Sequence, residues 1–76
     1  MTYSKKVFLI RKHLGYSQEY MAIQLNVSQA TYNRMERNIK NIKLEQLEQI
    51  CEILGVEMPL LLSTDDLNHL IVHLPK

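Results

Sequence analysis

Glutamine, alanine, asparagine and arginine stand at positions 29, 30, 33 and 34 of this 76-residue chain. On a helix those positions share one face, because residues three and four apart are neighbours. Gln29 has the amide geometry for a two-bond pair with adenine, and the Ala30 methyl can pack on a thymine methyl. Arg34 suits guanine O6 and N7, at roughly 1–3 kcal/mol of discrimination. Asn33 can read a base or hold a phosphate. Such a row points to base-pair edges in a major groove; the plain alternative is a solvated helix face. Gln18 opens a helix of its own, where free N–H groups and the helix dipole favour an anion. Ser28, Thr31, Arg37, Lys40, Asn41 and Lys43 flank the row and are suited to phosphates, which fix register without reading sequence. For the two lysines, solvated charge is the competing explanation.

Two short helices must present this row. Ser17 caps the first, with Tyr20, Met21 and Leu25 among its apolar positions, and Asn26 stands where a left-handed residue is needed. Ser28 caps the second, which runs to about Arg37, with Val27 before it as a hydrophobic anchor. Within it Tyr32 and Met35 point inward. The helix-turn-helix spans about residues 17–37. Ahead of it, Val7, Ile10, Arg11 and Leu14 mark a helix from about Ser4 to Leu14, capped by Ser4 and closed by Gly15. Residues 38–42 read as a polar loop. A fourth helix places Leu44, Leu47, Ile50, Cys51 and Leu54 on one stripe and ends at Gly55, and Met58 to Leu62 make one more helical turn opened by Pro59. The segment 63–76 is a C-terminal extension. Leu67, Leu70, Ile71 and Leu74 there fit a helical stripe, although Leu70 to Leu74 also reads as a short strand.

Charge divides the chain. Residues 1–43 carry eight basic side chains against two acidic ones, a net +6, while residues 44–76 carry one lysine against six acids, a net −5. A polyanion is drawn to the first half and repelled by the second. The length implies a single domain over residues 1–76, with a core of about 4–62, near the lower limit for a chain without metals or disulfides. One cysteine excludes an internal disulfide, and the apolar neighbours of Cys51 suggest a buried thiol. No apolar run approaches a membrane span and no signal peptide pattern opens the chain, so a cytoplasmic setting is the default. His69 and His73 would share a helical face, but no third ligand accompanies them, so surface histidines are favoured over a metal site. No catalytic triad, phosphate loop or carboxylate pair is evident. No enzyme activity, cofactor, metal or small-molecule ligand is expected.

The run Tyr16-Ser17-Gln18-Glu19-Tyr20-Met21-Ala22, with Met35-Glu36-Arg37 and then Leu47, Leu54, Gly55 and Val56, resembles the Cro/C1-type helix-turn-helix family, also called the Xre family. The likeness covers roughly residues 5–62. It departs where Asn26 and Asn38 replace the usual glycines, both taken to be able to adopt the left-handed conformation. It departs again where Tyr20 and Ile23 hold sites that are commonly charged, a hint of extra apolar contact surface. The resemblance implies an all-α, five-helix, lambda-repressor-like DNA-binding domain with a short C-terminal extension. It further implies that Gln18 touches the DNA backbone and steadies Gln29, and that Arg11 and Glu36 form a buried salt bridge. The expected partner is double-stranded DNA bearing an inverted repeat, bound by a homodimer that represses transcription. Leu60, Leu61, Leu67, Leu70, Ile71 and Leu74 are the candidate dimer surface. Glu36-Arg37-Asn38 with Asn41 is similar to a stretch in controller proteins of restriction–modification systems. Domains of this type also serve as antitoxins or adaptors, a protein-interaction alternative.

Overall fold

The computed structural model describes residues 1–72, and the side chains of all of these except Leu67, Ile71 and Val72. Every regular element among them is helical: α1 (Tyr3–Leu14), α2 (Gln18–Leu25), α3 (Gln29–Arg37), a 3-10 turn (Ile39–Asn41), α4 (Leu44–Leu54), α5 (Met58–Ser63) and α6 (Leu67–Val72). This is the small all-α, lambda-repressor-like architecture. The strand alternative for the tail gives way to helix through Val72; His73 and Leu74 lie outside the described residues.

Local chemistry sets the boundaries of the helix pair. Ser17 and Ser28 sit in extended backbone, and their hydroxyls accept the N–H groups of Tyr20 at 2.9 Å and Thr31 at 3.0 Å. Each satisfies an N–H that the helix itself cannot. Between the two helices Asn26 takes φ 58° and ψ 45°, the one non-glycine residue with positive φ among those described. Asparagine tolerates that left-handed geometry better than residues with larger or branched side chains, so the turn closes without glycine. Asn38 behaves differently from the sequence expectation. Its φ is −131°, so it is not left-handed, and it ends α3 by donating its Nδ2 to the Arg34 carbonyl at 3.0 Å.

α1 is the hub, packing against α3, the 3-10 turn, α4, α5 and α6. Val7, Ile10 and Leu14 from α1 meet Met21 and Ala22 of α2, Tyr32 and Met35 of α3, and Leu47, Ile50, Cys51 and Leu54 of α4 in one buried cluster. Burial pushes the Cys51 thiol up to about 11, away from the reactive thiolate. Thr2 rather than Ser4 caps α1, accepting the Lys5 N–H at 3.1 Å, because the helix already begins at Tyr3. Ser4 instead accepts the Ile39 N–H at 3.2 Å. That bond belongs to a second correction: the segment expected as a polar loop carries Ile39, buried within the core as a 3-10 anchor.

Three leucines depart from their expected environments. Leu44 is 62 % exposed, because it occupies the first position of α4 and the inward stripe starts only at Leu47. Leu61 and Leu70 are fully buried within the chain, so neither belongs to a dimer surface. Leu60 is half-buried; the side chains of Leu67 and Ile71, and all of Leu74, lie outside what is described.

Candidate nucleic-acid interface

α3 has two chemically opposite sides. Inward, Tyr32 is fully buried and Met35 and Glu36 nearly so. Outward, Gln29, Ala30, Arg34 and Arg37 are exposed, while Thr31 and Asn33 are half-buried. With Gln18 and Ser28 these outer residues line one shallow open groove. Of the row expected to read bases, all four members are brought together here, and four of the seven flanking residues join them. Lys40 and Asn41 lie beyond, sharing with Arg37 and Asn38 a neighbouring concavity bounded by residues 1–4 at the start of α1. Lys43 stands apart at the N-cap of α4, where its N–H is accepted by Gln46 Oε1 at 3.0 Å. The described part of the tail packs on α1, and the groove's outer residues keep their exposure.

Side-chain hydrogen bonds organise the groove. Ser28 Oγ donates to Thr31 Oγ1 at 2.9 Å, and Arg34 Nη2 donates to the same oxygen at 3.3 Å. Across the turn, Asn33 Nδ2 donates to Gln18 Oε1 at 3.1 Å. The expectation that Gln18 would steady Gln29 is therefore corrected: its bonded neighbour is Asn33. No local pattern announces a pair fifteen positions apart on two helices; it depends on the crossing that the Asn26 turn imposes.

Behind the groove, Arg11 and Glu36 meet with the two-pronged geometry that a guanidinium and a carboxylate favour. Arg11 Nε lies 2.8 Å from Glu36 Oε2 and Nη2 lies 3.0 Å from Oε1, while Nη1 donates to the Tyr16 carbonyl at 2.8 Å. Burial opposes the Arg11 charge, but hydrogen bonds to Glu36 and its negative charge outweigh that, and the Arg11 pKa stands above its ordinary value. The Tyr32 hydroxyl is buried beside this pair without a hydrogen bond of good geometry. Burial first, then the Glu36 carboxylate, raises its pKa well beyond the ordinary phenol value. Glu36 is the only acid between Glu19 and Glu45. Because its charge is turned onto Arg11, the outer side of α3 carries Arg34 and Arg37 with no carboxylate of its own. A surface so charged favours a polyanion.

No group of three or more histidine, cysteine or acidic residues among those described could hold a metal ion, and His73 lies outside them. No described helix is long and apolar enough to cross a membrane. A family profile described as Helix-turn-helix matches residues 8–61. No curated protein and no solved structure matches the chain.

Proposed function

Because the chain belongs to the Cro/C1-type helix-turn-helix family of DNA-binding regulators, we propose that it is a transcriptional repressor that reads an operator with α3. The observation that carries this reading is the outer row of α3, open to solvent at Gln29, Ala30 and Arg34, cationic and backed by a buried scaffold. Gln29, Ala30, Asn33 and Arg34 take the base edges. Gln18, Ser28, Thr31, Arg37, Lys40, Asn41 and Lys43 hold phosphates on either side and set the register. Ser28, Thr31 and Arg34 already share hydrogen bonds, so the Arg34 guanidinium is partly ordered before DNA arrives. Ordering in advance reduces the entropy that binding must otherwise spend.

A homodimer would present two α3 helices to successive major grooves about 34 Å apart, matching an inverted repeat. The work of such a protein lies in the cytoplasm, beside its DNA. Titration against duplex from the chain's own upstream region, at several salt concentrations, tests the reading. Expected is a log–log slope of about −0.9 per neutralised phosphate and a strong preference over scrambled duplex. A shallow slope without sequence preference would overturn it.

One observation favours a second reading, an antitoxin or adaptor whose main partner is a protein. Ile23 is 65 % exposed and Tyr20 39 %, on the outer side of α2, and the Tyr20 ring lies 4.6 Å from that of Tyr16. Exposed apolar side chains at neighbouring turns are suited to a protein surface. The shallow salt dependence named above is the result that would favour it.

A further inference from the structure

We infer that Gln18 determines which base Asn33 reads, by fixing the sense in which the Asn33 amide faces the groove, and that this base is adenine. The inference rests on the proposal that α3 enters the major groove of DNA. A side-chain amide presents an acceptor at one end and donors at the other. A pair of them can join in two senses with opposite readouts. In this structure Asn33 Nδ2 donates to Gln18 Oε1 at 3.1 Å. Asn33 therefore turns its Oδ1 acceptor and its second N–H toward the groove, and Gln18 keeps its Nε2 donors free.

The electrostatics of a bound duplex select the same sense independently. Gln18 is the first residue of α2, directly after the Ser17 cap. Backbone N–H groups at a helix start favour a phosphate there. With Oε1 committed to Asn33, Gln18 offers that phosphate an N–H donor. In the reversed sense one Nε2 hydrogen would be spent on Asn33 and the carbonyl oxygen would stand on the phosphate side, acceptor beside anion. Phosphate binding by Gln18 and amide orientation in Asn33 are thus one coupled choice.

The outward Asn33 end then restricts the base. Adenine shows an amino donor beside the N7 acceptor, which matches Oδ1 and the remaining N–H together. Cytosine offers only its amino group, and guanine and thymine put acceptors where Oδ1 points. The order of preference at this position is adenine, then cytosine, then guanine and thymine.

Selection from a pool of randomised duplexes, run with the parent and three variants, tests this. Asn33→Ala identifies the position in the enriched site that depends on Asn33. There the parent should favour adenine over guanine by about tenfold, within the range that one well-made amide–base pair supplies. Gln18→Ala frees the Asn33 amide to turn either way, so that preference should fall to within about twofold, with other positions unchanged. Gln18→Glu can only accept from Asn33, so it should keep the adenine preference while a carboxylate beside the phosphate lowers affinity at every sequence. The helical circular dichroism signal of each variant checks that all are folded. If Gln18→Ala keeps the preference, or if the Asn33-dependent position favours guanine or thymine, Gln18 is only a phosphate anchor and the inference fails alone. If the parent enriches no sequence, the DNA reading fails and takes this inference with it.

Discussion

α1 carries two buried cations five positions apart, and the chain solves the two in different ways. Arg11 is 5 % exposed and meets a carboxylate that is equally hidden, with a third N–H on the Tyr16 carbonyl. Lys6 is 2 % exposed, and its Nζ donates to the Leu61 carbonyl at 2.9 Å. The Lys6 counter-ion, Asp65, lies 3.3 Å away with its side chain 73 % exposed, and the Tyr3 ring sits 5.4 Å from the same ammonium. Arg11 fastens α1 to α3 with a charge neutralised inside the protein. Lys6 fastens α1 to the end of α5 through a backbone dipole, and reaches solvent for the rest of its compensation. A buried charge is therefore as vulnerable as its partner is irreplaceable: water can stand in for Asp65, but nothing can stand in for Glu36.

The largest effect expected from this contrast is at Arg11. Arg11→Ala leaves Glu36 buried and unpaired beside the Tyr32 hydroxyl, at a cost of about 3–5 kcal/mol, a large share of the stability of so small a domain. Urea denaturation should show the loss, and DNA binding should fall only as far as the folded fraction does. A variant that melts like the parent yet fails to bind DNA would recast Arg11 as a contact residue and remove one side of the comparison. Lys6→Met should cost less, about 1–3 kcal/mol, since it keeps the apolar stem, deprives the Leu61 carbonyl of its donor and leaves the exposed Asp65 to water. Because Lys6 holds α1 to α5, this change should leave affinity for DNA intact under conditions where the protein is folded. Should Lys6→Met prove as stable as the parent or more so, burying the ammonium brings no net benefit, and the two cations differ in kind rather than in degree.

The same contrast explains what could be read from the residues alone. The helix pair was legible because its signals are local: Ser17 and Ser28 at caps, Asn26 at the turn, and the inward spacing of Tyr32 and Met35. Arg11 and Glu36 were linked only through the family likeness, because twenty-five positions separate them. Lys6 carries a signal in its position. It falls with Tyr3, Val7 and Ile10 on the buried side of α1, where a solvated lysine has no place. Its partner, a carbonyl on α5, is a backbone group that any residue could supply, so no residue type could announce it. Ile39 was hidden for a related reason: a single apolar residue among Asn38, Lys40 and Asn41 has no periodicity, and its burial follows from how the 3-10 turn docks on α1. Within the groove, the residue types indicated the face but not the Asn33–Gln18 bond, which is a product of helix crossing.

The smallest effect, and the one that sharpens the comparison most, lies in the dependence of Asp65 on acid and salt. The hydrogen bond from Lys6, then the positive charge of the N-terminal amine 3.6 Å away, holds the Asp65 carboxyl below its ordinary value of 3.8. A depressed pKa in the folded state means that the unfolded chain binds the proton more readily, so the stability this carboxylate supplies is present above about pH 4 and disappears as pH falls through the lower folded value. Asp65→Asn should accordingly melt slightly below the parent at neutral pH and converge with it in acid. Added salt should close the same small gap at neutral pH, since an exposed pair is screened. The gap between the parent and Arg11→Ala, by contrast, should barely respond to salt, because Arg11 and Glu36 meet where ions do not reach. If salt narrowed both gaps alike, the Arg11 pair would be solvated in practice, and the distinction between an enclosed charge and a leaning one would not hold for this fold.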